Sequence, residues 1–246
     1  MKITIFTSNG LRHLYLINKL STIAKISAII ETKTIFPGKL EGFFSKSPEH
    51  KKYFDQVNKS ELKFFKNSNY LKKIEKTFIL QQGDLNYLKT KDLKKFLDSD
   101  IYIVFGASFI KGWLLKFLKQ KKAINIHMGV SPYYKGSSCN FWALYDNNIK
   151  MIGSTIHYLS EKLDGGDMIM NIHPKVKYKS GFDYTMRSVL DTHNMIFNLI
   201  KSKKIFKMNT KIQDKTKNIR TTKKKEFTRK IIKQFFNNKK HIINFK

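Results

Sequence analysis

The chain has 246 residues, with 48 Lys and Arg against 18 Asp and Glu, a formal charge of +30, and one cysteine. That length supports one sizeable core with at most a small annex, and the lone Cys139 excludes an intrachain disulfide and a Cys-based zinc framework. The cations are overwhelmingly Lys and come with abundant Asn and Ile; AT-rich codon usage explains part of the charge, so an anionic small molecule is favoured over nucleic acid as the partner.

Residues 2–6 read as a first strand, 7–10 as a turn, and 11–20 as an amphipathic helix. A second strand covers 25–30. From Ser47 to Lys76 the apolar spacing is helical, with Ser47 able to cap and Pro48 suited to the first turn. Strands near Phe78 and over 100–106 flank a helix at 91–99; the second of these is apolar throughout, as in a strand buried on both faces. A helix over 109–120, a strand over 123–127 and a short helix after Cys139 follow. Strands over 151–159 and 168–174 come next, separated by the Gly-rich turn 163–167, and a long helix from Tyr184 to Lys201 closes the pattern.

Strands alternating with helices predict an α/β fold: a doubly wound, Rossmann-like, mostly parallel sheet spanning 1–201. Residues 202–246 hold 16 Lys or Arg against two acids and are expected to form a short, lightly packed basic annex with a helix from about Phe227 to Asn237. If such a tail serves only solubility or packing, deletion beyond about Lys223 is expected to leave turnover within several-fold; if tRNA is the substrate, the loss is expected to be much larger. No apolar run reaches the roughly 18 residues that a spanning helix needs, and the N-terminus lacks a signal-peptide pattern. The expectation is a soluble, cytoplasmic protein with no membrane partner.

Three polar groups stand out. Asn125 and His127 alternate by two, so a strand points both to one face. Asp164 lies in the Gly-rich turn after a neighbouring strand, and loops at the carboxyl edge of a parallel sheet are where ligands bind. An amide donor, an imidazole and a carboxylate suit group transfer in which the substrate supplies the nucleophile. A lone His more often bonds its own loop, and Cys139 has no partner arranged to make it a nucleophile. Ser8, Asn9 and Gly10 precede a helix N-terminus that can hold phosphate, with Arg12 adding a charge; an ordinary turn fits a single Gly equally well. His157 either orients the Asp164 turn or joins the chemistry. His173 reads as structural, and Trp113 and the helical Phe residues read as core.

Asn125, His127, Pro132, Tyr134, Gly136, Gly153, Thr155, His157, Asp164 and Gly166 stand in the order of the folate-dependent formyltransferase signature, and the chain from about Lys2 to Lys201 resembles that family. The resemblance implies transfer of a formyl group from 10-formyltetrahydrofolate, a co-substrate, to a primary amine, with no metal. Asn125, His127 and Asp164 match its catalytic positions. Gly106, Ala107, Ser108 and Phe109 fall where the family cradles the pterin, and Val130, Ser131 and Pro132 match its folate loop. Ser8, Asn9, Gly10, Arg12, Tyr134 and Lys135 are the candidate acceptor contacts. Gly129, Val130 and Ser131 replace Ser-Leu-Leu, Lys135 replaces Arg, and Cys139 stands where Pro is common, which puts folate contacts in more doubt than catalysis. The chain looks most like formyltransferase-like proteins of surface-sugar pathways, so the expected acceptor is an amino sugar on a nucleotide. Methionyl-tRNA is the alternative, through the basic tail, and a non-catalytic folate- or nucleotide-binding module is a second. A homodimer is compatible with either.

Overall fold

The structure is a computed structural model that describes residues 1–32 and 47–245. Its centre is a seven-stranded sheet in the order β3-β2-β1-β4-β5-β7-β8. The strands are β1 (Lys2–Ser8), β2 (Lys25–Thr32), β3 (Lys76–Gln81), β4 (Ile101–Phe105), β5 (Ile124–His127), β7 (Ser154–Tyr158) and β8 (Met168–Ile172). A two-stranded parallel ribbon joins β6 (Tyr134–Gly136) to β9 (Arg220–Thr222). β3, β2, β1, β4 and β5 are mutually parallel, whereas β7 and β8 are antiparallel to their neighbours.

The apolar runs of β1, β2 and β4 are explained by burial on both faces. On one face Ile3, Ile5 and Ile103 pack with Leu16, Ile17 and Leu20 of α1 (Leu11–Leu20), Phe65 of α2 (Pro48–Phe65) and Ile196 and Ile200 of a later helix. On the other, Phe6, Ile29 and Val104 meet Leu93 of the single turn α3 (Thr90–Leu93) and Leu114 and Leu118 of α4 (Gly112–Gln120). The chain winds outward from β1 to β3 and then crosses back to β4 and β5, so the order reverses between β1 and β4. That reversal opens a crevice at the carboxyl ends of the strands.

Several elements differ from the sequence reading. The helix expected over 47–76 ends at Phe65. Beyond it the amide of Asn18 binds the Tyr70 carbonyl (2.7 Å) and the Lys72 N–H (2.9 Å), giving irregular backbone the partners that a helix would otherwise supply. The helix expected over 91–99 is one α-turn followed by a 3₁₀ turn.

The C-terminal segment is not a lightly packed annex. Helix α5 (Cys139–Tyr145), the start of α6 (Gly181–Lys201) and α7 (Arg229–Asn237) share a core of Phe141, Trp142, Phe182, Phe235 and Ile243. Ile232 and Phe235 are wholly buried, three residues apart on one face of α7, with lysines on the opposite face. The lysine-rich composition hid this stripe. No helix among the described residues is long and apolar enough to cross a membrane.

Candidate active site

A cavity of about 790 Å³ lies beyond the carboxyl ends of β4 and β5. Asn125, His127 and Asp164 all line it, with residues 104–110, Tyr53 and Phe54 of α2, Met186 and Val189 of α6, and Thr222, Lys223 and Lys224 of the tail.

Asn125 is fixed from the adjacent strand. It lies opposite His157 in the β5–β7 ladder, and its Nδ2–H donates to His157 Nε2 at 3.0 Å. His157 Nδ1–H donates to the Tyr158 carbonyl at 2.8 Å. Burial lowers the His157 pKa to about 4, although the Tyr158 bond opposes the shift. The ring is therefore neutral with its proton on Nδ1, and its lone pair sets the orientation of the Asn125 amide. The second N–H of Asn125 has no protein partner among the described residues.

His127 is held at both nitrogens. Nε2 lies 3.1 Å from the Tyr134 carbonyl and Nδ1 lies 3.3 Å from Asp164 Oδ1. Both partners are oxygen acceptors. The other Asp164 oxygen takes the Gly136 N–H at 2.8 Å. A Cβ at Gly129 would lie 2.5 Å from His127 Nε2 and from Cys139 Cβ. Glycine there is therefore required by the packing of the ring itself.

Asp164 arrives by a route different from the expected one. β7 is antiparallel to β5 and ends beside Ile124, at the far end of β5 from His127, so its loop must turn back to reach the site. Asp164 has φ 46°, in the left-handed region, and a Cβ at Gly166 would fall 1.8 Å from the Tyr158 carbonyl oxygen. The turn is built for that reversal.

The remaining predicted residues divide. Gly106, Ala107, Ser108 and Phe109 line the cavity. Their loop is clamped by the buried Glu31 carboxylate, which accepts from Ser108 N (2.5 Å) and Gly83 N (2.9 Å). Val130, Ser131 and Pro132 do not line it. Thr155 Oγ1 takes the Ser131 N–H (2.8 Å), Asn171 the Ser131 carbonyl (3.1 Å) and Asn218 the Pro132 carbonyl (2.9 Å), so backbone satisfaction turns this loop inward. Tyr134 is buried, donating its hydroxyl to Asp146 Oδ2 at 3.1 Å. Neither it nor Lys135 lines the cavity; burial lowers the Lys135 pKa.

The N-terminus of α1 corrects the phosphate reading. Ser8, Asn9 and Gly10 do not line the cavity, and Arg12 does. A carboxylate already occupies the helix end: Glu61 Oε1 accepts the Arg12 backbone N–H at 3.0 Å and Oε2 pairs with Arg12 Nη1 at 3.0 Å. Glu61 comes from α2, and nothing in its sequence spacing distinguishes it from the other acids of that helix. Cys139 is buried, and burial pushes its thiol far above the usual range. Burial therefore disfavours the thiolate that a nucleophile would need.

The formyl transferase family profile matches residues 95–200, which include Asn125, His127 and Asp164. That segment is similar to the formyl transferase family. Formyltetrahydrofolate deformylase 2 of Arabidopsis thaliana, a mitochondrial protein, is 32% identical over 112 residues, covering 42% of this chain and 34% of its own length. The chain spans about a third or less of the curated relatives it matches. Among solved structures, the N-formyltransferase of Helicobacter canadensis, in complex with folinic acid and dTDP-3-aminofucose, has a TM-score of 0.54 at 13% identity over 93% of this chain and 73% of its own. Phosphoribosylglycinamide formyltransferase of Anaplasma phagocytophilum has a TM-score of 0.54 at 18% identity over 87% and 93%. These likenesses establish the formyl transferase fold.

Proposed function

We propose that the protein transfers the formyl group of 10-formyltetrahydrofolate to a primary amine carried on a nucleotide-linked sugar. The observation that carries the reading is that Asn125, His127 and Asp164 line one cavity, with His127 paired to Asp164. The second N–H of Asn125 donates to the formyl oxygen as the amine attacks and charge develops there. His127 is held between the Tyr134 carbonyl and Asp164 and keeps that carboxylate in place. Asp164 accepts the amine proton, directly or through water, and the folate N10 receives a proton as its bond to carbon breaks. The 106–109 backbone, clamped by Glu31, supplies amides and carbonyls for the pterin edge. Thr222, Lys223 and Lys224 also line the cavity.

Two features support a nucleotide-linked acceptor. Glu61 fills the helix end where a ribonucleotide phosphate would sit in a compact glycinamide ribonucleotide enzyme. Lys162, Lys223 and Lys224 line the cavity and offer a diphosphate three cations. The likeness to deformylases favours a second reading, in which water replaces the amine.

The test follows tetrahydrofolate release spectroscopically from 10-formyltetrahydrofolate alone, and then with dTDP- and UDP-linked amino sugars, glycinamide ribonucleotide or methionyl-tRNA. Release that requires an amino-sugar nucleotide is the expected result. Release without amine establishes hydrolysis instead. Release with tRNA, falling steeply with salt, replaces the sugar acceptor, and no release under any condition removes the catalytic reading.

A further inference from the structure

The turn that carries Asp164 is held mainly from the C-terminal segment. Lys211 pairs with Met168 at the start of β8 through two backbone bonds of 2.8 Å. That ladder places Gln213, two residues on, over the turn. Its Nε2 donates to the carbonyls of Asp164 and Gly166, both at 2.7 Å. Among the described residues the only other donor to the Asp164 carbonyl is Ser131 Oγ, at 3.5 Å.

Gln213 is 6% exposed, and its Oε1 is buried without a hydrogen-bond partner among the described residues. An amide flip would set that oxygen against two carbonyl oxygens, so the orientation is fixed by the two acceptors. The buried, unmet oxygen is tolerated because both N–H groups are committed to the turn.

The same segment secures the other side of the carboxylate. β9 pairs with β6, and the Thr222 carbonyl lies 2.1 Å from where a Gly136 Cβ would be. The Gly136 N–H that binds Asp164 is thus set by the tail.

We infer that Gln213 is a positioning residue: its amide locks the 164–166 turn so that the Asp164 carboxylate faces His127. The inference rests on the proposed site, but its structural arm does not need formyl transfer. A left-handed turn at the end of a reversed loop has few internal bonds, and two N–H groups from one rigidly placed side chain remove its rotational freedom.

The test compares wild type with Gln213→Met, which keeps the length and removes both donors, and with Gln213→Asn, which keeps the amide one methylene short. Asn218→Ala is the control, because it removes another tail bond, to Pro132, and leaves the turn alone. The ring ¹⁵N resonances of His127 report its contact with Asp164. They are expected to move in Gln213→Met, less in Gln213→Asn, and not in Asn218→Ala. In turnover, kcat is expected to fall by about tenfold or more in Gln213→Met with the folate KM within about twofold, as for loss of transition-state stabilisation alone. Equal movement of His127 in Gln213→Met and Asn218→Ala reduces Gln213 to general packing and overturns the inference, as do unmoved resonances in both Gln213 variants. If Gln213→Met does not fold, the Gln213→Asn spectrum decides alone. Moved resonances without any formyl transfer sink the functional reading and leave this one standing.

Discussion

At the scale of single residues, the proposed chemistry depends on where one amide N–H points. Asn125 can rotate about its side-chain bonds unless something holds it, and His157 does so by offering a lone pair rather than a proton. His157→Ala removes that acceptor and leaves a space that water can enter. Loss of an oxyanion donor itself costs about 10²–10³ in kcat, so Asn125→Ala is expected in that range. His157→Ala should fall short of it, with folate binding retained. Equal kcat for wild type and His157→Ala would show that the amide needs no holder. The two readings the sequence offered for His157 were turn orientation and chemistry; its hydrogen-bond partner is Asn125, and it also lines the cavity. Periodicity cannot reveal that pairing, because β7 lies antiparallel across β5 and a register is a property of two strands. The trio Asn125, His127 and Asp164 was legible, yet the expected convergence at a parallel-sheet edge was the wrong reason for it. The reversed loop, and Gln213 above it, bring the carboxylate round.

At the scale of elements, strands and long helices were readable because each carries its own period. The tail was not. Its lysines match a solvated face, and of the four apolar residues in α7 only Ile232 and Phe235 are fully buried. Their weight is large all the same. Burying an Ile or Phe side chain contributes about 1.5–3 kcal/mol, and a domain's whole margin is about 5–15 kcal/mol. Truncation after Lys223 removes Ile232, Phe235 and Ile243, which are fully or almost fully buried, together with the Tyr145–Gln234 bond (2.7 Å). The shortened chain is therefore expected to be largely unfolded by far-UV and near-UV circular dichroism. A cooperative melting transition near the wild-type temperature would return the segment to the status of a dispensable annex. The α1 turn holds a partner of the same kind: Glu61, from a helix distant in sequence, binds the Arg12 N–H and guanidinium there.

For the whole molecule, the core contains a group that charge patterning does not reveal. His193 of α6 is completely buried, with neither ring nitrogen hydrogen-bonded among the described residues. It stacks on Tyr15 and meets Phe65 and Phe105 at 6.0 and 5.1 Å between centroids. Burial lowers its pKa from 6.5 to about 3, with Arg12 and Lys19 adding to the effect. His157 shifts the same way, to about 4, mainly through burial. An imidazole in the unfolded chain takes up a proton as the pH drops through about 6.5, and these two cannot do so while folded. Between 6.5 and those lower values the unfolded state binds more protons, so the stability they allow above about pH 6.5 is lost as the pH falls. His193→Phe keeps an aromatic ring among Tyr15, Phe65 and Phe105 and removes the titration. Its melting temperature is expected to drop less than the wild type's between about pH 7.5 and about pH 5, a range set by the imidazole's ordinary pKa. The difference between the two chains should vanish toward the upper end, apart from a constant packing offset. Parallel losses in both proteins would place the acid sensitivity in groups other than His193.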